Sequence, residues 1–299
     1  MTSRRWILLT FATIIALAGM SAAICVAVDP YGLWRDPAGR KLTVYDFERK
    51  AKFFLSRRYV PANFDGLIIG PSCSANWNVP LIAGARIYNE SLPGGSVAEE
   101  QIVVNQALPK GHYRLVVMIL WPTMTSHHDI NEGLDKSEKV ETLGSFHVYD
   151  NEVASALHAW HIRFHKSDAA PDGQVELPYR KRLSLPIPPD FFQVDPVALE
   201  DFRDLVQSLR SRGASIVYVV PPIYEPIYRL NQPAFENYLY TVRQLLPSAP
   251  IIDLNGSEYT GFRSDPDNYI DTVHLAPQGA ATVSALLQKL VPDAIASGN

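Results

Sequence analysis

Residues 65–77 read DGLIIGPSCSANW, and the fold turns on how this stretch is understood. A short apolar run, Leu67-Ile68-Ile69, stops at Gly70, and Ser72 follows two residues later. An apolar run of this length, closed by glycine and proline, reads as a buried strand ending in a polar turn. The same unit recurs along the chain. Residues 86–88 form a second short strand, ending at Asn89. Residues 96–108 read as a helix, with Ser96 as N-cap and Glu99 three residues on, a capping-box pattern. Residues 115–120, LVVMIL, form a continuous apolar run, the mark of a strand covered on both faces.

Further on, Asp195-Pro196 opens a helix that runs to Arg212 and closes at Gly213, with cap, first-turn proline and terminal glycine in agreement. A strand over 216–220, a helix over 233–246, a strand over 251–254 and an amphipathic helix over 277–291 complete the series. Such alternation predicts a mainly parallel, doubly wound five-stranded sheet with helices on both faces. The stretch over about 123–194 lacks the alternation and reads as an insertion over the strand ends. The piece between the first two strands is too short and irregular to assign.

The N-terminus has a different character. Arg4 and Arg5 precede a run from Trp6 to Val28 without a charge, long enough to span a bilayer as a helix. A cleaved signal peptide is the alternative, given the small residues around Ala18 to Ala23. In either case the arginines stay cytoplasmic and the remainder of the chain is exported. The expected division is a tip and transmembrane anchor over 1–28, a solvated juxtamembrane linker over 29–62, and a domain over 63–299. That places the chain in the plasma or inner membrane, single-pass, with its domain outside the cytoplasm and in the periplasm if the cell is Gram-negative.

Of the 299 residues, 47% are hydrophobic and 19% charged, as in a globular protein with a sizeable core. The net charge of −4 argues against nucleic-acid binding, which needs a basic face. The two cysteines, Cys25 and Cys73, form no disulfide framework and no zinc spacing.

Ligands of open parallel sheets bind at the carboxyl ends of the strands. After the first strand stands Ser72. After the second come Asn89, Gly94 and Gly95, and after the third Trp121-Pro122-Thr123. Asp271 and His274 stand just before the last helix. A histidine there can serve as general base toward a serine, with the aspartate fixing its tautomer. Gly94 and Gly95 permit close backbone approach to an oxyanion. Cys73, next to the serine, reads as a small packing residue. His127-His128-Asp129 and the helical row His158, His161, His165 raise a metal site, but nothing completes one, and no cofactor is expected. Trp77, Trp121, Tyr224 and Tyr228 read as packing aromatics in preference to a sugar-stacking platform.

Gly-x-Ser after the first strand, a glycine-containing turn after the second and Asp-x-x-His before the last helix resemble the SGNH/GDSL hydrolase superfamily, over roughly residues 65–290. Within it the chain is most similar to the membrane-anchored, extracytoplasmic branch that acts on cell-wall polymers and exopolysaccharides. The resemblance implies a flavodoxin-like three-layer α/β/α sandwich. It also implies Ser72 as nucleophile, Asp271 and His274 as its partners, and Gly94 or Gly95 as oxyanion donor.

Two positions depart from the family pattern. Pro71 precedes the serine, and Thr123 stands in the turn where the family carries an asparagine, so that Thr123 or Asn89 is left to supply the missing donor. The implied activity is acyl transfer or ester hydrolysis on a carbohydrate or cell-wall polymer, with a multi-pass acyltransferase as partner. A non-catalytic subunit of an exopolysaccharide machine and a membrane-proximal lipid esterase are the alternatives.

Overall fold

The computed structural model describes residues 3–44, 48–130, 170–175, 177, 183 and 187–298. Its helices are α1 (Ser3–Val28), α2 (Glu48–Leu55), α3 (Tyr59–Asn63), α4 (Val97–Ala107), α5 (Pro196–Ser211), α6 (Glu225–Leu245), α7 (Thr260–Ser264) and α8 (Pro277–Gly298). Its strands are β1 (Gly66–Ile69), β2 (Leu81–Ile82), β3 (Ala85–Asn89), β4 (Leu115–Ile119), β5 (Ser215–Val220) and β6 (Ile251–Asp253).

These strands form one sheet in the order β2-β3-β1-β4-β5-β6. β3, β1, β4, β5 and β6 are parallel neighbours, and β2 runs antiparallel along the edge of β3. Taken alone, the parallel strands follow the second-first-third-fourth-fifth order of flavodoxin-like folds. β2 is the strand the sequence hides: two residues are too few to carry a periodicity.

β1 and β4 lie at the centre, and every residue of both is buried. Burial of such a Val, Leu or Ile side chain stabilises by about 1.5–3 kcal/mol. Helices then cover the sheet, as they must where both faces are apolar. α4 and α5 pack against each other, and α8 lies across β2, β5 and β6.

Helix boundaries follow their caps. Ser96 and Glu99 close the expected capping box on α4. The Asp195 carboxylate accepts the N–H groups of Val197 and Ala198 at the head of α5. α6, expected to begin at Pro233, instead begins two turns earlier, at Glu225. Pro226, in its first turn, is the start signal, and Pro233 is tolerated inside. α8 likewise runs through Pro292 to Gly298.

The larger correction concerns residues 29–62. Expected as a solvated linker, they are largely packed into the domain. Tyr31, Leu33, Val44, Phe53, Phe54, Tyr59 and Val60 join the core, and the Lys52 side chain is fully buried. Basic side chains of this stretch fasten backbone: the Arg58 guanidinium donates to Leu33 O at 2.6 Å.

α1 is 26 residues long, with a mean hydropathy of 2.3 over its most apolar window, and is almost wholly exposed. At 1.5 Å per residue it measures about 39 Å, more than a hydrocarbon core of roughly 30 Å. Asp29 ends it in the left-handed region, at φ +48°. Such a conformation is held only where the surroundings over-determine it. Here the buried Asp29 carboxylate accepts the N–H groups of Leu33, Trp34 and Arg35 and the guanidinium of Arg40.

Candidate active site

The carboxyl end of β1 delivers Ser72. Gly70 lies so close to β4 that a Cβ there would meet the Ile119 side chain at 2.5 Å. Pro71 is extended, at φ −85° and ψ −168°, and bridges to Leu92 in parallel register. The chain then tightens into a 3₁₀ turn, Ser72–Ser74, which brings Ser72 to the head of the turn with its side chain free to face outward.

Asp271 and His274 sit in a loop tied at its base. Tyr269 and Leu275 pair as an antiparallel bridge, and Ile270 N–H donates to His274 O at 2.8 Å. Within the loop, Asp271 Oδ1 accepts the N–H groups of Val273 and His274, at 3.0 and 2.9 Å. Asp271 Oδ2 is left for the ring, 2.8 Å from His274 Nδ1. The other ring nitrogen, Nε2, lies 2.7 Å from Ser72 Oγ. A carboxylate can only accept, so Nδ1 carries the proton and Nε2 is the acceptor for the serine hydroxyl. Burial pushes the Asp271 carboxyl up. The hydrogen bonds and charge of His274, with the two backbone donors, outweigh that and leave the carboxyl below its ordinary range.

Thus Ser72, His274 and Asp271, about two hundred residues apart in sequence, form one continuous hydrogen-bonded chain. Asn76, which no motif singled out, holds its two halves together: the side chain leaves the turn after Ser72 and donates to Leu275 O, beside His274, at 2.7 Å. On the far side, Tyr224 N–H donates to Thr272 O at 3.0 Å.

The candidate oxyanion donors fare unequally. Asn89 is a correction. Its amide donates to Ser74 O and Trp77 O at 2.8 and 2.9 Å, and its oxygen accepts Ser91 N–H. Both amide protons are committed to bracing the nucleophile turn, so none is left for an oxyanion. Gly95 is a second correction, because its N–H closes a turn onto Leu92 O at 2.8 Å. Gly94 has φ +65°, and its N–H has no acceptor among the described residues. Thr123 lies in the 3₁₀ turn Pro122–Met124 after β4, next to β1. Its buried hydroxyl has no partner among the described residues, and no bond joins it to the triad.

Cys73 is buried, and burial raises its thiol far above the usual range, so it is no rival nucleophile. Trp77 and Trp121 are buried and pack in the core, and Tyr228 lies under the Arg263 guanidinium at 4.6 Å. His128 Nδ1 lies 2.6 Å from Asp201 Oδ2. The row His158, His161, His165 and most of the 123–194 insertion lie outside the described residues. A cavity of about 570 Å³ opens at the amino ends of β5 and β6, beside Ser215, Ile216 and Ile251, the wrong end of a parallel sheet for this site.

No family model matches the chain, and no curated protein matches it. Solved structures do. One is a protein provisionally described as platelet activating factor, from Streptococcus pneumonia: 12% identity, 81% of this chain and 90% of that one, TM-score 0.45. A protein provisionally described as an SGNH hydrolase, from Slackia heliotrinireducens, matches at 13% identity over 75% and 96% of the two chains, TM-score 0.39. A lipase/acylhydrolase from Enterococcus faecalis matches at 12% identity over 76% and 94%, TM-score 0.37. At TM-scores below 0.5 these matches carry no weight for reaction or substrate.

Proposed function

We propose that the chain is a serine-dependent esterase or O-acyltransferase of the SGNH/GDSL type. It is held at the membrane by α1 and works on ester groups, most simply acetyl esters, of a polysaccharide or cell-wall polymer outside the cytoplasm. One observation carries the reading: Ser72 Oγ, the His274 ring and the Asp271 carboxylate form a hydrogen-bonded relay with contacts of 2.7 and 2.8 Å.

That geometry supports a double-displacement reaction. Ser72 Oγ attacks the ester carbonyl carbon as His274 Nε2 takes the hydroxyl proton, and the carbonyl π pair moves onto oxygen. Asp271 stabilises the imidazolium and keeps its orientation. The oxyanion is met by backbone N–H, with Gly94 and Ser72 as the donors. Collapse breaks the bond to the leaving alcohol, which receives the His274 proton, and leaves Ser72 acylated. A second hydroxyl, from water or sugar, attacks the acyl carbon as His274 takes its proton; collapse breaks the bond to Ser72 Oγ, which receives that proton back, and releases the acyl group on the incoming oxygen. Water gives hydrolysis and a sugar hydroxyl gives transfer.

The length of α1 and the two arginines in its first turn support a single-pass anchor with the domain outside, where polymer and any membrane-bound acyl donor protein would meet it. The test is labelling of the full-length protein with a fluorophosphonate, comparing wild type with Ser72→Ala. Labelling confined to wild type, with acetyl-esterase activity lost in the variant, is the expected result. A wild type that does not label and hydrolyses no ester would instead point to a non-catalytic subunit carrying a relic of the triad.

A further inference from the structure

We infer that Arg49 and Lys52, from the short helix α2 beyond the membrane segment, are positioning residues for the oxyanion donor of Gly94. The inference rests on the esterase reading above.

β3 and the loop after it show two rows of backbone groups. Toward β1, Glu90 N–H meets Ile68 O and Leu92 N–H meets Gly70 O, both at 2.8 Å. The next even-numbered donor in that row is Gly94 N–H, reached just after the Pro71–Leu92 bridge that lies beside Ser72. The opposite row faces away from β1. There β2 pairs only with Ala85 and Arg86, so it ends before the carbonyls of Asn89, Ser91 and Pro93.

Those carbonyls would be unmet acceptors at a sheet edge, a costly state when buried. α2 supplies the missing edge with side chains. Lys52 Nζ donates to Asn89 O and Ser91 O at 2.8 and 2.6 Å. Arg49 Nε and Nη2 donate to Pro93 O at 3.1 and 2.7 Å, and its Nη1 is held by Glu99 Oε1 at 2.5 Å. Glu99 is itself the capping-box residue of α4.

This arrangement sets the direction of one N–H. The chain has no cis peptide bonds among the described residues, so the carbonyl of Pro93 and the N–H of Gly94 point in opposite directions across one planar unit. Arg49 holds the carbonyl toward α2, and the N–H is therefore turned toward the β1 side, where Ser72 stands. Gly94 then leaves the unit at φ +65°, and a Cβ there would lie 3.2 Å from Arg49 Nη2. An oxyanion donor works by being fixed before the charge develops. Arg49 and Lys52 do that fixing without touching substrate.

The experiment uses the full-length protein in detergent, with p-nitrophenyl acetate turnover and the rate of fluorophosphonate labelling as readouts. Loss of an oxyanion donor costs about 10²–10³ in kcat. Misorientation by Arg49→Ala is expected to lower kcat and the labelling rate by about ten- to a hundredfold, with KM little changed and the shape of the pH profile unmoved. Arg49→Lys keeps a donor for Pro93 O and recovers part of the loss. Lys52→Met follows the same pattern wherever it folds; where it does not, the two Arg49 variants decide. Wild-type kcat and labelling in Arg49→Ala overturn the inference, as does a loss that falls on KM alone. Full activity in Ser72→Ala removes the serine reading itself, a pattern no Arg49 result imitates.

Discussion

Two sides of one site differ in how they are built. On one side Ser72, His274 and Asp271 meet through side chains, the serine from the turn after β1 and the other two from one loop before α8. On the other, Lys52 and Arg49 reach across to backbone carbonyls, those of Asn89, Ser91 and Pro93. Side-chain chemistry needs particular residue types, and these leave a mark in the sequence. A carbonyl is the same in every residue, so a group that binds one leaves no mark in the partner it binds. The first side is legible and the second is not.

The comparison breaks most sharply at Asp271. Asp271→Asn keeps an oxygen to accept the Val273 and His274 N–H groups, so the loop should hold. What changes is the ring's partner: an amide can donate to Nδ1 and favour the wrong tautomer. Turnover of p-nitrophenyl acetate is expected to fall by about 10³–10⁴, as in other triads. Thermal stability at neutral pH should change far less. A variant within tenfold of wild type would show that Asp271 only shapes the loop. The Asp271 carboxyl, held below its ordinary range, adds stability above the usual carboxylate range that is lost as pH falls through its folded value. Asp271→Asn should therefore weaken acid unfolding of this loop as well.

The sequence made this side readable because buried strands, caps and glycine stops each leave a local signature. Leu67-Ile68-Ile69 and residues 115–120 marked the centre of the sheet. Ser96 with Glu99 and Asp195 with Pro196 marked helix heads that the structure keeps. Three failures share one cause, that the deciding partner is distant. β2 is two residues long and exists because β3 offers it an edge. Residues 29–62 look solvated by composition, yet their cations have buried carbonyl and carboxylate partners. Asn89 looked available for an oxyanion because nothing local shows that Ser74 O and Trp77 O already occupy it.

Asn76 tests the seam between the two sides. Its amide is the direct link from the nucleophile turn to the chain beside His274, at 2.7 Å. Asn76→Ala leaves the Leu275 carbonyl without that donor and should destabilise by about 1–3 kcal/mol. If the tether also sets the Ser72–His274 distance, kcat falls by roughly tenfold, since small misplacements of reacting groups are costly. A loss of melting temperature at full kcat would make Asn76 a packing residue only.

The smallest effect on turnover is expected at Glu90, beneath the backbone-binding side. Its carboxyl is buried and accepts Ser56 Oγ–H at 2.5 Å. Burial pushes it from 4.5 up to about 7, against the downward pull of the Lys52 ammonium and the Ser56 hydroxyl. Its charge in turn helps burial to raise the neighbouring Glu100, Tyr88 and Tyr113. A carboxyl with a folded value above its unfolded one binds its proton more tightly when folded. Stability is then greatest below about 4.5 and falls as pH rises through about 7. At about 1.4 kcal/mol per unit, the loss amounts to about 3 kcal/mol at most. Glu90→Gln mimics the protonated acid and keeps an oxygen for Ser56. Urea unfolding at pH 5 and pH 8 should show the variant gaining on wild type as pH rises, with kcat unchanged. A stability difference that stays constant between the two pH values would mean that Lys52 overrides burial and holds Glu90 ionised throughout. The cation that orders the loop would then be one half of a buried ion pair, and Lys52→Met would lose more stability than its two carbonyl contacts explain.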